Sequence, residues 1–217
     1  IYLNGSIDQT ISNTNADPAN HTVNITVDKP AGSLILNTDI TVVNTLNMNS
    51  GNIILNNNNL FLGINATTIG ALNYTAGSIV GSGKFFRWLP NTALGSLDPA
   101  GLFPVGSTSV NRPLYISIPA GVTGMLGVEY HDVAGTTDLS GTPVPDGGGF
   151  NIIARKNFSW EISSPASLTS SDPIKYPAAS YPPIGDGTYS ITAVATNLGG
   201  VGSVDDLRLM LANSVVG

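Results

Sequence analysis

Short runs in which apolar and polar residues alternate fill the first 84 residues of the chain. In each run an apolar residue occupies every second position, and Asn, Gly, Asp or Thr then interrupts the alternation. A period of two is typical of β-strands with one buried face, and the interrupting residues are typical of tight turns. The alternating positions are Val23/Ile25/Val27, Leu34/Leu36, Ile40/Val42, Leu46/Met48, Ile53/Leu55 and Leu60/Leu62. The pattern predicts short strands joined by corners.

A local motif recurs among these runs as AGSLIL at 31–36, SGNIIL at 50–55 and AGSIV at 76–80. The copies begin at residues 31, 50 and 76, so their starts are 19 and 26 residues apart. Repeats of about 20 residues are typical of solenoids, in which a turn buries its apolar face only by stacking on its neighbours. About 80 residues at about 20 per turn predict about four turns of a parallel β-solenoid.

Asparagine is concentrated in this part of the chain. Sixteen of the 22 Asn residues lie there, and only five charged residues precede Lys84. Asn and Gly tolerate the left-handed backbone conformation that tight corners require. Asn side chains at equivalent corners of successive turns can also hydrogen-bond to one another along the stack. We therefore interpret the Asn-rich corners as hydrogen-bonded ladders rather than as a ligand surface.

The composition changes at Lys84, where a segment of aromatic and basic residues is followed by a stretch rich in Pro and Gly that ends at residue 106. Longer apolar runs follow at 114–118, 124–131, 150–154, 158–163, 188–195 and 206–211. Turn signals separate these runs, and none has helical periodicity, which is typical of an antiparallel β-sandwich. The sequence thus predicts an all-β protein with a parallel β-solenoid over 1–84 and a β-sandwich-like domain over 85–217.

Four aromatic residues are predicted to have structural roles. Phe86 and Trp88 lie at the predicted junction, where they would cap the open end of the solenoid. Phe158 and Trp160 are two positions apart on one predicted strand, so they share a face. We expect them to build the core of the sandwich.

Arg112, which precedes Pro113, lies in an ion-poor region of the chain. An isolated Arg in such surroundings tends to hold backbone carbonyls or a single carboxylate. We expect Arg112 to lock the loop formed by residues 103–114.

Charge and composition exclude several classes of function. The net charge is −6 and only eight residues are Lys or Arg, without the basic cluster that nucleic-acid binding needs. No apolar run approaches the roughly 20 residues of a membrane-spanning helix. The absence of cysteine excludes disulfides, thiol nucleophiles and thiolate metal sites. The chain begins at Ile1 without an initiator Met, so we expect flanking domains of a longer polypeptide as partners.

The carboxylates of the repeat region do not form an enzyme site in the predicted stack. Parallel β-helices often carry polysaccharide lyases and glycosidases, and a glycosidase needs two carboxylates about 5 to 10 Å apart. Asp17, Asp28 and Asp39 are 11 residues apart, which does not match turns of 19 or 26 residues. No Gly-x-Ser-x-Gly elbow indicates a serine hydrolase either. We therefore predict that the chain is not an enzyme and has no catalytic residues.

Two kinds of binding site have candidate residues. Calcium would be bound by loop oxygens, for which the candidates are Asp138, Asp146, Asp205 and Asp206, with solvated turns as the alternative. No other cofactor is predicted. A carbohydrate would stack on exposed aromatic platforms, for which the candidates are Trp88, Tyr181 and Tyr189.

Glu129 and His131 lie on one face of a predicted strand, while Asp132 points to the other face. Such a group suggests either a metal site or a proton relay. We take an ordinary cross-strand surface pair as the better interpretation.

Several segments resemble modules of the multi-domain surface proteins that gliding bacteria export by the type IX secretion system. The resemblance rests on residues 45–56 and 59–63, on the FPVG segment at 103–106 and on the NRPL segment at 111–114, and it extends to residues 155–163. It implies an extracellular stalk or display module of the kind found in adhesins, gliding-motility proteins and some secreted enzymes. The matching segments are architectural, so no catalytic residue is implied.

The sequence and the resemblance together predict a structural or adhesive module of a secreted or cell-surface bacterial protein, acting as a stiff spacer and display scaffold. Surface glycans or a secretion or outer-membrane complex are the expected partners besides flanking domains. Two alternatives remain open at this point. One is a carbohydrate-binding or polysaccharide-active β-helix protein, and the other is a filament or fibre subunit.

Overall fold

The computed structural model describes residues 1–12, 21–145, 151–163 and 190–194, and this part of the chain is almost entirely β-structure. One short 3₁₀ helix, Pro99–Gly101, interrupts the strands. No helix among the described residues is long and apolar enough to cross a membrane. The strands are β1 (Tyr2–Asn4), β2 (Gln9–Ile11), β3 (His21–Leu36), β4 (Ile40–Ile54), β5 (Leu60–Leu62), β6 (Ala71–Tyr74), β7 (Ile79–Val80), β8 (Phe85–Leu89), β9 (Leu102–Phe103), β10 (Val105–Gly106), β11 (Leu114–Ser117), β12 (Gly124–His131), β13 (Thr136–Asp138), β14 (Val144–Pro145), β15 (Asn151–Ile152), β16 (Ala154–Lys156), β17 (Ser159–Ser163) and β18 (Ser190–Ala193).

The first strands form a parallel β-solenoid of about four turns, as the repeat predicts. Strands from successive turns pair in parallel and form three columns, which we call stacks. The long strands β3 and β4 take part in all three stacks, and their pairing shifts register between one stack and the next. The first stack joins the starts of β3 and β4 to β5 and β8, and the second joins β1 and β6 to their middles. The third stack joins β2, β7 and β10 to their ends.

The recurring motif occupies the third stack, and its copies lie directly above one another. From turn to turn the paired positions are Gln9, Leu34, Ile53, Ile79 and Val105. Strand β10, which lies within the segment 103–106 that carries part of the resemblance, thus adds a further rung beyond the third copy. Parallel pairing therefore continues past residue 84, the predicted end of the solenoid.

The alternating apolar residues face the interior of the solenoid. Of those predicted to alternate, only Val23 is exposed, with 58% of its surface accessible. The buried ones are Ile25, Val27, Leu34, Leu36, Ile40, Val42, Leu46, Met48, Ile53, Leu55, Leu60 and Leu62. Since their side chains stack across successive turns, each turn completes the core of the next.

A column of glycines forms the corner that leads into the third stack. Gly32, Gly51 and Gly77, the glycines of the three motif copies, have φ of 68°, 84° and 96°. L-residues with a side chain rarely adopt these values. The turns also approach closely here, because a Cβ on Gly77 would lie 1.9 Å from the Gly51 carbonyl oxygen. The positive φ and the close approach of the turns both explain why glycine recurs at this position in each copy of the motif.

Lys29 is buried beside this corner, with 1% of its surface exposed. Its Nζ donates to the Ile7 carbonyl oxygen at 2.7 Å, to Gln9 Oε1 at 2.9 Å and to the Gly5 carbonyl oxygen at 3.5 Å. All three acceptors are neutral and belong to the first turn. The ammonium group therefore ties the second turn to the first.

Asn and Asp side chains form hydrogen bonds between successive turns, both at corners and along strands. At one corner Asn56 Nδ2 donates to Asn37 Oδ1 at 3.2 Å, an amide pair of the predicted kind. In the second stack Asn73 Nδ2 donates to Asn47 Oδ1 at 2.8 Å, and Asn47 Nδ2 donates to Thr26 Oγ1 at 2.9 Å. At other corners a side-chain oxygen accepts a backbone N–H of the following turn. These acceptor and donor pairs are Asp8 and Ser33, Asp39 and Asn59, Asn52 and Ser78, and Asn59 and Lys84.

The Asn ladder should be measurable as a coupling between turns. Asn47→Ala, Asn73→Ala and the double variant form a double-mutant cycle, and we expect a coupling free energy of about 0.5–1 kcal/mol in urea unfolding. The reason is that either single change already removes the shared amide hydrogen bond. Strictly additive losses would show that the ladder does not stabilise the stack.

Strand β8 changes the direction of pairing. One of its edges pairs in parallel with β5, and the other pairs antiparallel with β12, which in turn pairs antiparallel with β17. One sheet thus runs in the order β1-β3-β4-β5-β8-β12-β17 across the domain boundary predicted at 84/85. Smaller antiparallel sheets join β18, β11 and β9, β13 and β16, and β14 and β15.

The aromatic residues of β8 point in directions that differ from the prediction. Phe85 pairs with Leu60, which faces the interior, so Phe85 enters the core and meets Phe103 edge-on with 5.8 Å between ring centroids. Phe86 pairs with Phe61 and stacks on it at 4.9 Å, on the opposite side of the sheet. Trp88 joins this second buried cluster. The prediction that Phe86 and Trp88 cap the solenoid is therefore wrong. Phe85 faces the interior of the solenoid, whereas Phe86 and Trp88 lie on the other side of the sheet.

Candidate functional site

The strands that follow the solenoid bring four charged or titratable side chains together, which we call the polar cluster: Lys84, Glu129, His131 and Glu161. Lys84 immediately precedes β8. Glu129 and Glu161 are direct cross-strand partners on β12 and β17. His131 lies two residues after Glu129 and therefore on the same face of the sheet.

The two carboxylates each face Lys84 with one oxygen and His131 with the other. Lys84 Nζ lies 2.7 Å from Glu161 Oε1 and 3.8 Å from Glu129 Oε2. The imidazole lies on the other side, with Nε2 3.3 Å from Glu161 Oε2 and Nδ1 3.8 Å from Glu129 Oε1. The exposed fractions of these side chains lie between 13% for Glu129 and 31% for Glu161. The cluster is thus partly buried but reachable from solvent.

Among its neighbours, Lys84 has the largest effect on the Glu161 carboxyl. Its hydrogen bond holds the pKa of the Glu161 carboxyl below its usual value, against the opposing effect of partial burial. Like charges directly opposite each other on paired strands are destabilising, so Glu129 and Glu161 require positive charge between them. Lys84 supplies one such charge for two carboxylates.

The sequence predicted a cross-strand pair at Glu129 and His131, and the structure places a larger group there. Lys84 and Glu161 were not among the candidate site residues. Glu161 follows Trp160 directly in β17, so its side chain points to the opposite face from Trp160. Only the pairing of β17 with β12 brings it to Glu129.

The proposed carbohydrate platform does not include Trp88. This residue is 2% exposed and packs with Phe86 and Met125, so its ring offers no surface to a sugar. This corrects the prediction that Trp88 binds a carbohydrate. Both sides of β8 are buried, so the strand presents no aromatic ring to solvent. Tyr181 and Tyr189 lie outside the described residues.

Of the calcium candidates, only Asp138 lies among the described residues. Asp138 is exposed, and its Oδ1 accepts the Ser140 backbone N–H at 2.8 Å, which lowers the pKa of the carboxyl. This is the geometry of an ordinary turn. Asp146, Asp205 and Asp206 lie outside the described residues.

Backbone hydrogen bonds of Arg112 connect its loop to two other segments. Its N–H donates to the Val105 carbonyl oxygen, and its own carbonyl oxygen accepts Trp160 Nε1, both at 2.9 Å. The guanidinium lies 5.2 Å from the centroid of the Phe158 ring. Phe158 and Trp160 meet edge-on at 5.4 Å, on the face that they were predicted to share.

Arg87 makes a carbonyl clamp of the kind that was expected of Arg112. This buried guanidinium donates to the carbonyl oxygens of Leu102 and Pro99, and burial lowers its pKa to about 10. Arg87 pairs with Leu62, an interior position, so its side chain lies on the interior side of the sheet. It was missed because its neighbours in the sequence are all apolar.

Comparisons of the chain with models of protein families, with curated proteins and with solved structures find no match. What the chain does is therefore inferred from the stacked strands, the corner hydrogen bonds and the polar cluster.

Proposed function

We propose that the chain is a stiff structural module of a secreted or cell-surface bacterial protein, which spaces and displays the domains that flank it. Its role is mechanical and adhesive rather than catalytic. The proposal agrees with what the resemblance to type IX-exported surface proteins implies, including an extracellular location and contacts with glycans or a secretion complex.

The observation that carries the proposal is the continuity of one sheet and one core. The sheet extends from β1 to β17, and the core extends from Leu3 in the first turn to Tyr130 in β12. Close-packed interiors resist deformation, and elements with many buried apolar contacts open last. Backbone pairing, the ladders and Lys29 add ties between successive turns. Such a body is expected to resist bending when force is applied to it.

Stiffness can be tested by measuring a distance in solution between a site in the first turn and a site in the segment that follows β8. The chain has no cysteine, so Ile7→Cys and Gly95→Cys introduce two spin-label sites without background. Ile7 is 76% exposed, and a Cβ at Gly95 meets no atom within 4 Å. We expect pulsed electron resonance to give one narrow distance distribution, because both sites belong to one packed body.

The same double-labelled protein in concentrated urea is the control, and its distribution should be broad. A broad distribution in native buffer would contradict the stiff module. The location is tested separately with antibodies against the chain, which should label intact cells of the source organism. Labelling that requires permeabilised cells would contradict display at the surface.

A further inference from the structure

The polar cluster combines residue types and spacing that suit a metal ion. One ligand atom each from Glu129, His131 and Glu161 can be chosen so that all three lie within 4.8 Å of one another. Two of these residues are fixed on β12 and the third on its hydrogen-bonded neighbour β17. Strand pairing therefore fixes the backbone positions of the three residues before any ion arrives.

The charge balance of the cluster leaves room for a cation. With a neutral imidazole, two carboxylates and one ammonium carry a net charge of −1. Lys84 contacts Glu129 Oε2 and Glu161 Oε1, so the other oxygen of each carboxylate remains directed at His131. An ion between His131 and the carboxylates would meet the two oxygens that face His131 and one ring nitrogen. Lys84 would then hydrogen-bond to the ligating carboxylates from behind, as groups around metal sites commonly do.

The ligand types, two carboxylates and one imidazole, indicate which metal ions the site would prefer. Calcium and magnesium prefer sites built from oxygen alone, whereas imidazole favours zinc and related transition metals. Three protein ligands from Glu and His with a solvent-accessible fourth position are typical of open zinc sites. We propose that Glu129, His131 and Glu161 bind one divalent transition-metal ion, such as Zn²⁺, which fastens β17 to β12 at the end of the main sheet.

The test is a titration of the chelator-stripped protein with Zn²⁺ in competition with a chromophoric chelator. We expect one bound Zn²⁺ per chain and an affinity at least about tenfold lower in His131→Asn, because the nitrogen ligand is lost. His21→Asn is the matched control, since His21 is the other histidine of the chain and lies exposed at the start of β3. Its affinity should equal that of the wild type.

Thermal unfolding gives a second readout, because an ion that binds only the folded chain raises the melting temperature. Zn²⁺ should raise it in the wild type and in His21→Asn but not in His131→Asn, and Ca²⁺ at the same concentration should leave it unchanged. If His131→Asn does not fold by circular dichroism, Glu129→Gln takes its place with the same expectation. Equal Zn²⁺ affinity in wild type and ligand variant, equal loss in His21→Asn, or equal stabilisation by Ca²⁺ would each overturn the proposal.

Discussion

Gly77→Ala is expected to lower the free energy of unfolding by at least about 3 kcal/mol. A left-handed backbone costs a residue with a side chain about 1–2 kcal/mol. The new Cβ would also lie 1.9 Å from the Gly51 carbonyl oxygen, so two turns of the stack must separate. Urea unfolding followed by circular dichroism measures the loss.

Gly5→Ala separates these two causes. Gly5 has φ of 95°, almost the same as the 96° of Gly77, but a Cβ there meets no atom within 4 Å. We expect this variant to lose only about 1–2 kcal/mol, the backbone part of the cost. Equal losses in the two variants would show that the close stacking of the glycine corner does not contribute to stability.

Lys29→Met is expected to cost about 2–3 kcal/mol. Methionine has nearly the same length, so the side chain still fills its space, but the Ile7 carbonyl oxygen and Gln9 Oε1 lose their donor. A buried acceptor left without a partner costs about 1–3 kcal/mol. The loss should appear in the same urea measurement.

Lys156→Met is the matched control for Lys29. Lys156 donates from an exposed position to Thr136 Oγ1 at 3.0 Å, and its replacement should change stability by less than about 0.5 kcal/mol. Buried charges can also be net unfavourable, so an apolar replacement sometimes stabilises a protein. Unchanged or increased stability in Lys29→Met would mean that desolvation of the ammonium outweighs its three hydrogen bonds.

The stacked part of the fold was predictable because its information is local. Leu34 and Ile53 each follow a corner glycine at the same distance, so the motif alone gives their register. The alternation gives the buried face of each short strand. Lys29 departs from this rule, because a charged side chain is normally expected in solvent. It is buried because the corner carbonyls around it need donors, which no pattern in the sequence records.

The direction of β8 and the polar cluster were not predictable for two different reasons. All five residues of β8 are buried, so no polar alternation distinguishes its two sides. The cluster depends on antiparallel pairing between distant segments, since 45 residues separate Lys84 from Glu129 and 32 separate Glu129 from Glu161. Sequence patterns indicate that strands exist there but not which strands become neighbours.

Because β8 pairs in parallel on one edge and antiparallel on the other, it limits how far the solenoid can be extended by further turns. A stack of parallel turns could in principle lengthen by adding identical rungs, whether from the same chain or from another copy. On the first stack the next rung position is taken by β12, which runs the opposite way and offers no parallel template beyond it. Duplication of a turn during evolution would therefore be accommodated before β8, with this strand and its antiparallel neighbours kept as a fixed terminus.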